Sequence, residues 1–557
     1  MALMSMDTAL AEVARFVFSR RNVSCGLLMM LVPGVSGQAP RPSAQQKQGG
    51  LVQSSGPQTL KFTDLVELSQ RDVPNEPLAT KLNKLLTTPF INNEAQFAGA
   101  RPKRPSSDAL GPFIRAVCWN IERGLEFESI RTALAQPGKF DQVIAQKKDP
   151  KKKPLTKEEQ AEVKSQLELL KYTDLLVLNE ADKGVTRTDY RDVTRELAQS
   201  LNMNYAYGVE FIEVDPLSLG LEKVKMENKA AESDIQKSFQ PDKAKYLGLH
   251  GTAVLSRYPI RNATLRRLPV CYDWYLGEKK EISKVESGLR SGSNLVFMER
   301  IAREVRRGGR MALIVQLAVP ESPTGTLTVV ATHLENKCKP ECRRNQMGQI
   351  LQWIRSDPNP LVLAGDMNTT GTDSSPTSAT KLLKERVKDP DAWAKDAVKW
   401  STGAPTSLLM PLNMYRSKND PTGFDVPVVS RKKEAKMFGD LEDFRFNDGY
   451  RFDFRGEDHR SADNRGGTLS DSNQRASKGF QYTFAMAKTY GGLVGQYKLD
   501  WCFVKGYAKD PEKPGGSYKF APHFAWTLEE LNNAPDHPLS DHFPITVDLP
   551  LLEPPLK

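Results

Sequence analysis

Short apolar runs that end in polar residues recur along this chain of 557 residues. Several of the runs are apolar throughout, as expected for strands that are covered on both faces. They predict strands at 113–120, 174–180, 205–212, 252–256, 311–319, 327–333, 361–364, 498–506 and 543–549.

Between these strands, apolar residues spaced three and four apart predict amphipathic helices. The helices are predicted at 128–136, 154–171, 189–201, 343–355 and 380–400. Strands outnumber helices, and the strands need cover on both faces. The pattern therefore predicts an α/β sandwich in which two sheets pack together and helices lie outside.

The N-terminus has the layout of an export signal. Arg15, Arg20 and Arg21 precede an apolar run at 25–32, which is too short to span a bilayer as a helix. Small residues follow, and we expect cleavage near Gly37 or Ala39. The arginine pair also resembles a twin-arginine signal, although a general secretory signal tolerates it. The alternative is an N-terminal core helix. We expect a secreted or periplasmic protein without a transmembrane segment.

The rest of the chain is predicted to hold one large domain. The predicted parts are a flexible Gln-, Pro-, Ser- and Gly-rich linker at 38–60, an N-terminal extension at 61–112, the main domain at 113–549 and a tail at 550–557. Inserts near 144–165, 213–246 and 372–497 interrupt the main domain.

The composition is that of an ordinary globular protein, with 39% hydrophobic and 26% charged residues. A formal net charge of +10 favours a polyanionic partner such as nucleic acid or phospholipid. However, the segment 147–153 alone holds five lysines against one aspartate. Charge therefore favours a class of substrate without identifying it.

Six cysteines include one within the predicted signal. Cys118 and Cys502 lie in apolar strand patterns and are expected to be buried thiols. Cys338 and Cys342 lie in a loop, where an oxidising compartment favours a local disulfide between them. A zinc site is disfavoured, because no second Cys or His pair follows at a suitable spacing.

Polar residues stand at the ends of the predicted strands. Asp366 and Asn368 follow one strand, and residues two apart in an extended segment point the same way. A carboxylate and a carboxamide there suit hard-metal and phosphate chemistry, although the same residues also make ordinary turns. The other strand-end residues are Asn120, Glu122, Glu180, His333, Asp500, Asp541 and His542. Each alone is also explained as a cap, a turn or a surface charge, but the ordered set indicates an active site.

This ordered set resembles the endonuclease/exonuclease/phosphatase superfamily, the deoxyribonuclease-like metal-dependent phosphodiesterases. The motifs are WNIE, LNEAD, GTAVLSRYPI, THLEN, GDMN, LDW and SDHFP, between residues 113 and 549. The resemblance implies a four-layer α/β/β/α sandwich of two packed mixed sheets with helices outside. It places the active site where the two sheets open at one end.

The resemblance also implies a divalent cation, Mg²⁺ with Mn²⁺ or Ca²⁺ as alternatives, because phosphodiester hydrolysis develops negative charge that must be neutralised. Glu180 matches the principal metal ligand of the family. Glu122 and Asp541 would be further ligands, directly or through water. Asn120 would link the metal-side carboxylates and touch the phosphate.

The same resemblance assigns roles on the opposite side of the phosphate. Asp366 would orient or deprotonate the attacking water, and Asn368 would position the phosphate or the nucleophile. His542 would hydrogen-bond the phosphate while Asp500 holds its ring. Activation of water by a histidine remains an alternative to activation by Asp366.

His333 narrows the branch of the family. Secreted deoxyribonucleases, bacterial sphingomyelinases and inositol-phosphate phosphatases have a histidine at this strand end, which exonuclease-type apurinic/apyrimidinic endonucleases usually lack. In the deoxyribonuclease pattern a glutamate partners it, and Glu210 is the matching residue. His333 would then be a general acid toward the leaving oxygen. For Arg310, at a strand start, a surface position is favoured over a phosphate contact.

We therefore expect an exported, monomeric, Mg²⁺-dependent phosphodiester hydrolase, with nucleic acid as the favoured substrate. One alternative is a sphingomyelinase or another phospholipid hydrolase, which would need an exposed apolar hairpin to reach lipid. The segment 272–298, with Trp274 and Tyr275, is the candidate for such a hairpin. Another alternative is a catalytically silent binding module, against which the intact acidic and histidine residues argue.

Overall fold

Two mixed β-sheets pack face to face in the computed structural model of this protein. It describes residues 47–48, 51–148, 153–222, 240–279, 304–369, 434–455, 457–460, 482–490, 494–507 and 516–555. These residues all belong to one compact unit, Gln45–Lys557. The predicted export signal and the predicted helix at 380–400 lie outside the described residues.

The described strands carry the following labels in chain order. They are β1 (Lys47–Gln48), β2 (Leu51–Val52), β3 (Ser54–Ser55), β4 (Phe90–Asn92), β5 (Ser106–Ser107), β6 (Gly111–Arg123), β7 (Leu175–Lys183), β8 (Asn204–Glu213), β9 (Leu249–Ser256), β10 (Ile260–Arg267), β11 (Arg306–Gly308), β12 (Met311–Ala318), β13 (Thr326–His333), β14 (Leu361–Asp366), β15 (Phe484–Tyr490), β16 (Val494–Tyr497), β17 (Asp500–Lys505), β18 (His523–Thr527) and β19 (Ile545–Pro550).

The described α-helices are α1 (Phe62–Gln70), α2 (Glu76–Thr87), α3 (Glu94–Phe97), α4 (Phe127–Ala135), α5 (Phe140–Gln146), α6 (Lys157–Lys171), α7 (Val193–Leu201), α8 (Trp274–Glu278), α9 (Pro340–Ile354), α10 (Ala435–Asp443) and α11 (Glu529–Asn533). Short 3₁₀ turns lie at Pro137–Lys139, Thr186–Thr188 and Asp458–Arg460.

The larger sheet, sheet I, has the strand order β18-β19-β6-β7-β9-β8-β4-β3, with β5 paired to β6 and β11 paired to β8. Sheet II has the order β10-β12-β13-β14-β17. Each sheet contains one parallel pair, β6 with β7 in sheet I and β13 with β14 in sheet II. The remaining neighbours are antiparallel, so both sheets are mixed.

Side-chain alternation along the strands creates three apolar layers. Cys118 of β6 and Ala364 of β14 belong to the cluster between the two sheets. Trp119, the next residue of β6, instead belongs to the cluster formed with helices α4, α6 and α7. Leu363 of β14 belongs to a third cluster, formed with α9 and α10. The predicted α/β/β/α sandwich is therefore confirmed.

Part of the predicted insert at 372–497 belongs to the outer helical layer. Helix α10 buries Met437, Phe438 and Leu441, which lie on one face because they are spaced at helical intervals. The ring of Phe438 lies 4.6 Å from that of Trp501 in β17. The helix therefore covers sheet II, whose outer face would otherwise be exposed to water.

Some strands were not predicted from the sequence. Strand β10 forms an edge of sheet II, and the residues of its sequence IRNATLRR are largely exposed between the buried ones. Strand β4 pairs with β8, so that part of the predicted extension at 61–112 joins sheet I. These strands lack the long apolar runs that mark the central strands.

The predicted Cys338–Cys342 disulfide is wrong. Cys342 instead pairs with Cys271, with a Cα–Cα distance of 6.0 Å, and Cys338 is free. Cys342 lies in the first turn of α9, where it meets the segment before α8, while the Cys338 thiol contacts the backbone oxygen of Glu335. Cys118 and Cys502 are free and buried, as predicted.

Among the helices of the described part, none combines the length and the apolar character that crossing a bilayer requires.

Candidate active site

The strand ends of sheet II bring three predicted site residues side by side. His333 ends β13 and Asp366 ends β14, and the two residues pair in the parallel register. Asp366 pairs on its other side with Asp500, the first residue of the antiparallel strand β17. All three residues are buried. Sheet geometry alone thus lines up one imidazole and two carboxylates.

His542 is held against both carboxylates. Its Nδ1 lies 2.8 Å from Asp500 Oδ2, and its Nε2 lies 3.7 Å from Asp366 Oδ2. Its backbone oxygen accepts a hydrogen bond from Trp119 Nε1 at 3.0 Å. Burial lowers the pKa of His542, but Asp500 and Asp366 outweigh burial and raise this pKa well above its usual range. The two carboxylates therefore favour the protonated form of the ring.

Thr483 supports this histidine–aspartate pair from the predicted insert. Its hydroxyl donates to Asp500 Oδ2 at 2.7 Å and accepts the backbone N–H groups of Leu499 and Asp500, each at 3.0 Å. The ring of the next residue, Phe484, lies 4.8 Å from the His542 ring. The end of the predicted insert thus contributes directly to the site.

Asp366 is surrounded by hydrogen-bond donors. Its Oδ1 accepts the Asn368 N–H at 2.9 Å, and its Oδ2 accepts Asn120 Nδ2 at 3.2 Å. His333 Nε2 lies 3.3 Å from the same Oδ2. Burial raises the pKa of Asp366, but His333, His542 and the Asn368 N–H outweigh burial and lower it. Asp366 is therefore a carboxylate at neutral pH.

Two glutamates of sheet I lie at β-bulges. The pairing of β7 with both of its neighbours shifts register around Glu180, and the pairing of β8 with β9 shifts at Glu210. Glu180, Glu122 and Asn368 have φ angles of 55°, 46° and 49°. Residues other than glycine rarely adopt such angles. Bulges and strained backbone re-aim side chains and cluster at functional sites.

Asn120 connects Glu180 of β7 with Glu122 of β6. Its Nδ2 donates to Glu180 Oε1 at 3.2 Å, and its Oδ1 accepts the Glu122 N–H at 3.1 Å. Glu122 Oε2 in turn accepts the Asp541 N–H at 3.2 Å. Burial raises the pKa of Glu180, but Arg123, whose Nε lies 3.8 Å from Oε2, and the nearby histidines outweigh burial and lower it.

These residues fit a hard divalent cation. Glu122, Glu180 and Asp541 are half-buried, and they offer the oxygen ligands that Mg²⁺, Mn²⁺ and Ca²⁺ take. Among the described residues, possible ligand atoms within 4.8 Å of one another are found at Asp366, Asp500 and His542. A short hydrogen bond between His542 and Asp500 engages two of these three groups with each other.

Glu210 faces His333 but has a closer cationic partner. Its Oε2 lies 3.8 Å from His333 Nδ1 and 2.9 Å from Arg310 Nη1, while its Oε1 accepts the Thr252 hydroxyl. Burial raises the pKa of Glu210, but His333 and Arg310 outweigh burial and lower it. The predicted surface position of Arg310 is wrong, because the side chain is buried by this ion pair.

The histidines outside the motifs do not join the site. His250 is buried with Nδ1 2.9 Å from Asp182 Oδ1, and His523 is buried near the start of β18. His459 is exposed, and His537 lies 3.1 Å from Glu126.

Four polar residues of the site were missed by the sequence reasoning, namely Arg123, Asn179, Thr252 and Thr483. Thr252 and Thr483 are single polar residues in apolar segments, whereas Arg123 and Asn179 adjoin Glu122 and Glu180. Only the position of Arg123 and Asn179 beside the motif glutamates could have drawn attention to them.

In structure, the chain is similar to the human Nocturnin catalytic domain with bound sulfate, at 15% identity and a TM-score of 0.32, over 80% of this chain and 98% of that one. It is also similar to the 3′ phosphatase NExo from Neisseria bound to a product DNA hairpin, at 12% identity and a TM-score of 0.33, over 78% and 99%. A comparison with curated proteins finds no match.

A sequence model of the Endonuclease/Exonuclease/phosphatase family matches residues 118–542. The match spans well over half of the chain and includes every predicted site residue from Asn120 to His542. The chain therefore belongs to the Endonuclease/Exonuclease/phosphatase family, whose members hydrolyse phosphoester bonds and generally depend on divalent metal ions.

Proposed function

We propose that this protein is an exported, Mg²⁺-dependent phosphodiester hydrolase that cleaves nucleic acid. The observation that carries the proposal is the position of Asn120 between the two halves of the site. Its Nδ2 lies 3.2 Å from Glu180 Oε1, 3.2 Å from Asp366 Oδ2 and 3.4 Å from His542 Nε2. Glu180, the candidate cation ligand, thus lies near Asp366, the candidate base, and near His542, the candidate hydrogen-bond donor.

The glutamate side would hold the cation. When bound, Mg²⁺ would neutralise charge on the phosphate and the leaving oxygen. Glu180 is the principal candidate ligand, and Glu122 and Asp541 are further candidates. Asn120 and Arg123 keep the Glu180 carboxylate oriented and ionised, as the ligand role requires.

The sheet II side would act on the phosphate and on water. The Asp366 carboxylate would orient the attacking water and accept its proton. The protonated form of His542, which the two carboxylates favour, would donate a hydrogen bond to a nonbridging oxygen rather than act as a base. Asn368 would position the phosphate, and His333, whose Nδ1 lies 3.8 Å from Glu210 Oε2, would give a proton to the leaving oxygen.

A net charge of +10 favours a polyanionic substrate, either nucleic acid or a phospholipid surface, and nucleic acid is the favoured one of the two. Phospholipid is less well supported. Trp274 and Tyr275, the aromatic residues of the candidate lipid-binding hairpin, are buried rather than exposed. Residues 280–298 of that hairpin lie outside the described part of the chain.

A substrate panel tests the proposed reaction. Purified protein is incubated with DNA, RNA, sphingomyelin liposomes and bis(p-nitrophenyl) phosphate, with Mg²⁺ or with EDTA. We expect cleavage of nucleic acid and of the aryl diester that EDTA abolishes and added Mg²⁺ restores. Cleavage of sphingomyelin alone would support the phospholipid alternative, and no chelator-sensitive cleavage of any substrate would refute the proposal.

Export is tested separately by fractionation and N-terminal sequencing. We expect the protein in the periplasm or the medium, with a new N-terminus near residue 38. Replacing Arg20 and Arg21 by lysine should block export only if a twin-arginine route is used. An unprocessed chain that stays in the cytoplasm would refute export.

A further inference from the structure

Asn179 connects the two sheets inside the site. It is fully buried in β7, immediately before Glu180. Its Nδ2 donates to Thr252 Oγ1 at 2.9 Å within sheet I and to the Thr332 backbone oxygen at 3.0 Å in sheet II. Its Oδ1 accepts the Asp366 N–H at 2.9 Å, also in sheet II. One side chain thus joins the strand that carries Glu180 to the strand that carries Asp366.

The orientation of this carboxamide is fixed by its partners. A backbone carbonyl can only accept a hydrogen bond and a backbone N–H can only donate one, so the oxygen and nitrogen of Asn179 cannot be exchanged. The Thr252 hydroxyl accepts a hydrogen bond from Asn179 and donates one to Glu210. A directed chain of hydrogen bonds therefore runs from Asn179 to the carboxylate that faces His333.

The close approach between the sheets depends on Gly365. Its φ is 143°, and a Cβ there would lie 1.8 Å from the Thr332 backbone oxygen and 3.0 Å from Asn179 Oδ1. Only a residue without a side chain leaves room for the carboxamide to reach both backbone groups.

We propose that Asn179 is a positioning residue, which sets the separation between the Glu180 and Asp366 carboxylates and keeps Glu210 facing His333. This inference rests on the proposed phosphodiester hydrolysis. In-line attack requires the cation, the water and the phosphate to be aligned. A misplacement of about 1 Å can cost roughly 10²-fold in rate.

The chain offers a matched control in Asn204. It is also fully buried in sheet I, it donates to the backbone oxygens of Ser256 and Tyr258 at 3.2 Å each, and it accepts the Gln96 N–H at 2.9 Å. It is the first residue of β8, near the opposite end of that strand from Glu210. Asn179→Ala and Asn204→Ala therefore remove the same number of buried hydrogen bonds at different ends of the sheet.

The experiment measures kcat and KM for bis(p-nitrophenyl) phosphate at saturating Mg²⁺, using the full-length chain. We expect Asn179→Ala to lower kcat by on the order of 10²-fold with little change in KM. Asn204→Ala should leave both constants near wild type despite a similar loss of stability. Asn179→Asp, which keeps the shape and the acceptor but loses both donors, should also lower kcat.

A second readout does not depend on activity. Without metal, hydrogen exchange of the peptide 361–369 should be faster in Asn179→Ala than in Asn204→Ala, because the Asp366 N–H has lost its acceptor. If Asn179→Ala does not fold, Asn179→Asp serves in the kinetic comparison.

The possible failures are distinguishable. A wild-type chain without chelator-sensitive hydrolysis overturns the proposed function, and this inference with it. If the wild-type chain is active but the Asn179 variants have the same kcat as Asn204→Ala, the inference about Asn179 is overturned and the proposed function is not.

Discussion

Asp366 and Asp500 stand directly opposite each other on neighbouring antiparallel strands, and both are buried. Like charges at opposed positions destabilise a sheet. His542 compensates, because its two ring nitrogens face the two carboxylates at 3.7 and 2.8 Å. The three groups therefore form one unit in which a single imidazole ring contacts both carboxylates.

The first prediction concerns this unit. Asp500→Asn should lower kcat by at least about 10²-fold, because a neutral amide does not stabilise the protonated His542 ring as a carboxylate does. Asp366→Ala and His542→Ala should each lose several orders of magnitude in rate while remaining folded. The measurement is kcat on the aryl diester, with circular dichroism as the test of folding.

Asp548→Asn is the matched control for Asp500→Asn. Asp548 is a buried aspartate that pairs with Arg115 at 2.7 Å, and it lies in β19 away from the site. This variant should lose stability but keep kcat. A wild-type kcat in Asp500→Asn would show that the histidine–aspartate pair has no part in the reaction.

The second prediction concerns metal binding at Glu180. Mg²⁺ should raise the melting temperature of the wild-type protein, and Glu180→Gln should reduce this rise, because a ligand that binds only the folded state stabilises it. Each tenfold loss in affinity removes about 1.4 kcal/mol of that stabilisation at high Mg²⁺ concentration.

Glu213→Gln provides the comparison, since Glu213 is a buried glutamate of β8 that pairs with Arg187. Mg²⁺ should raise the melting temperature of Glu213→Gln as much as that of wild type. If Mg²⁺ raised the melting temperature of Glu180→Gln by the same amount, the cation would bind elsewhere.

The third prediction concerns Thr483, whose hydroxyl satisfies two buried backbone N–H groups and one carboxylate. Thr483→Val should lower the free energy of unfolding by about 2 kcal/mol, because those groups lose their partner. It should also lower kcat about tenfold through the displaced Asp500 carboxylate. Thr483→Ser keeps the hydroxyl, so its free energy of unfolding and its kcat should both stay near those of wild type.

Thr194→Val is the control, since the Thr194 hydroxyl is buried without a hydrogen-bond partner among the described residues. It should change neither quantity appreciably. If Thr483→Val matched Thr194→Val in kcat, the insert would have no influence on the His542–Asp500 pair.

The fourth prediction concerns the Cys271–Cys342 disulfide, which joins residues 71 positions apart. The chain-entropy model gives about 4 kcal/mol of stability for a loop of that length. Cys342→Ser should lose up to that amount in urea unfolding, and Cys338→Ser should lose little. Under reducing conditions the difference between them should disappear. Peptide mapping that finds a Cys338–Cys342 link would contradict the pairing.

The fifth prediction concerns pH. Burial and the nearby Arg460 lower the pKa of His523 to about 3. Below pH 6.5 or so, the unfolded chain therefore binds a proton that the folded chain does not, and stability falls as the pH falls toward 3.

From pH 7 to pH 5, wild type should lose about 2 kcal/mol more free energy of unfolding than His523→Gln. The measurement is urea unfolding of both proteins at the two pH values. Equal losses would show that His523 is protonated in the folded state.

The sequence identifies the central strands, for a physical reason. Strands buried on both faces must be apolar, so a polar residue such as Asp366 marks the end of β14. Strands β6 and β7 instead continue past their predicted ends at 120 and 180, to Arg123 and Lys183, with a shift of register around Glu180. Edge strands such as β10 carry no such signal, because half of their residues face water.

Residues that act through distant partners could not be predicted. Thr483 and Thr252 resemble any threonine in an apolar segment, and their roles depend on groups brought close only by the fold. Cys271 likewise becomes the partner of Cys342 only because the segment before α8 meets the start of α9. Spacing along the chain favoured the nearer Cys338, and the nearer residue was the wrong one.

Strand β19 lies in the interior of sheet I, hydrogen-bonded to β6, although more than 400 residues separate the two in sequence. Asp541 and His542 immediately precede β19. Synthesis must therefore pass His542, more than 400 residues after β6, before the two halves of the site can come together. A nascent chain that stops short of His542 lacks a residue of the candidate site.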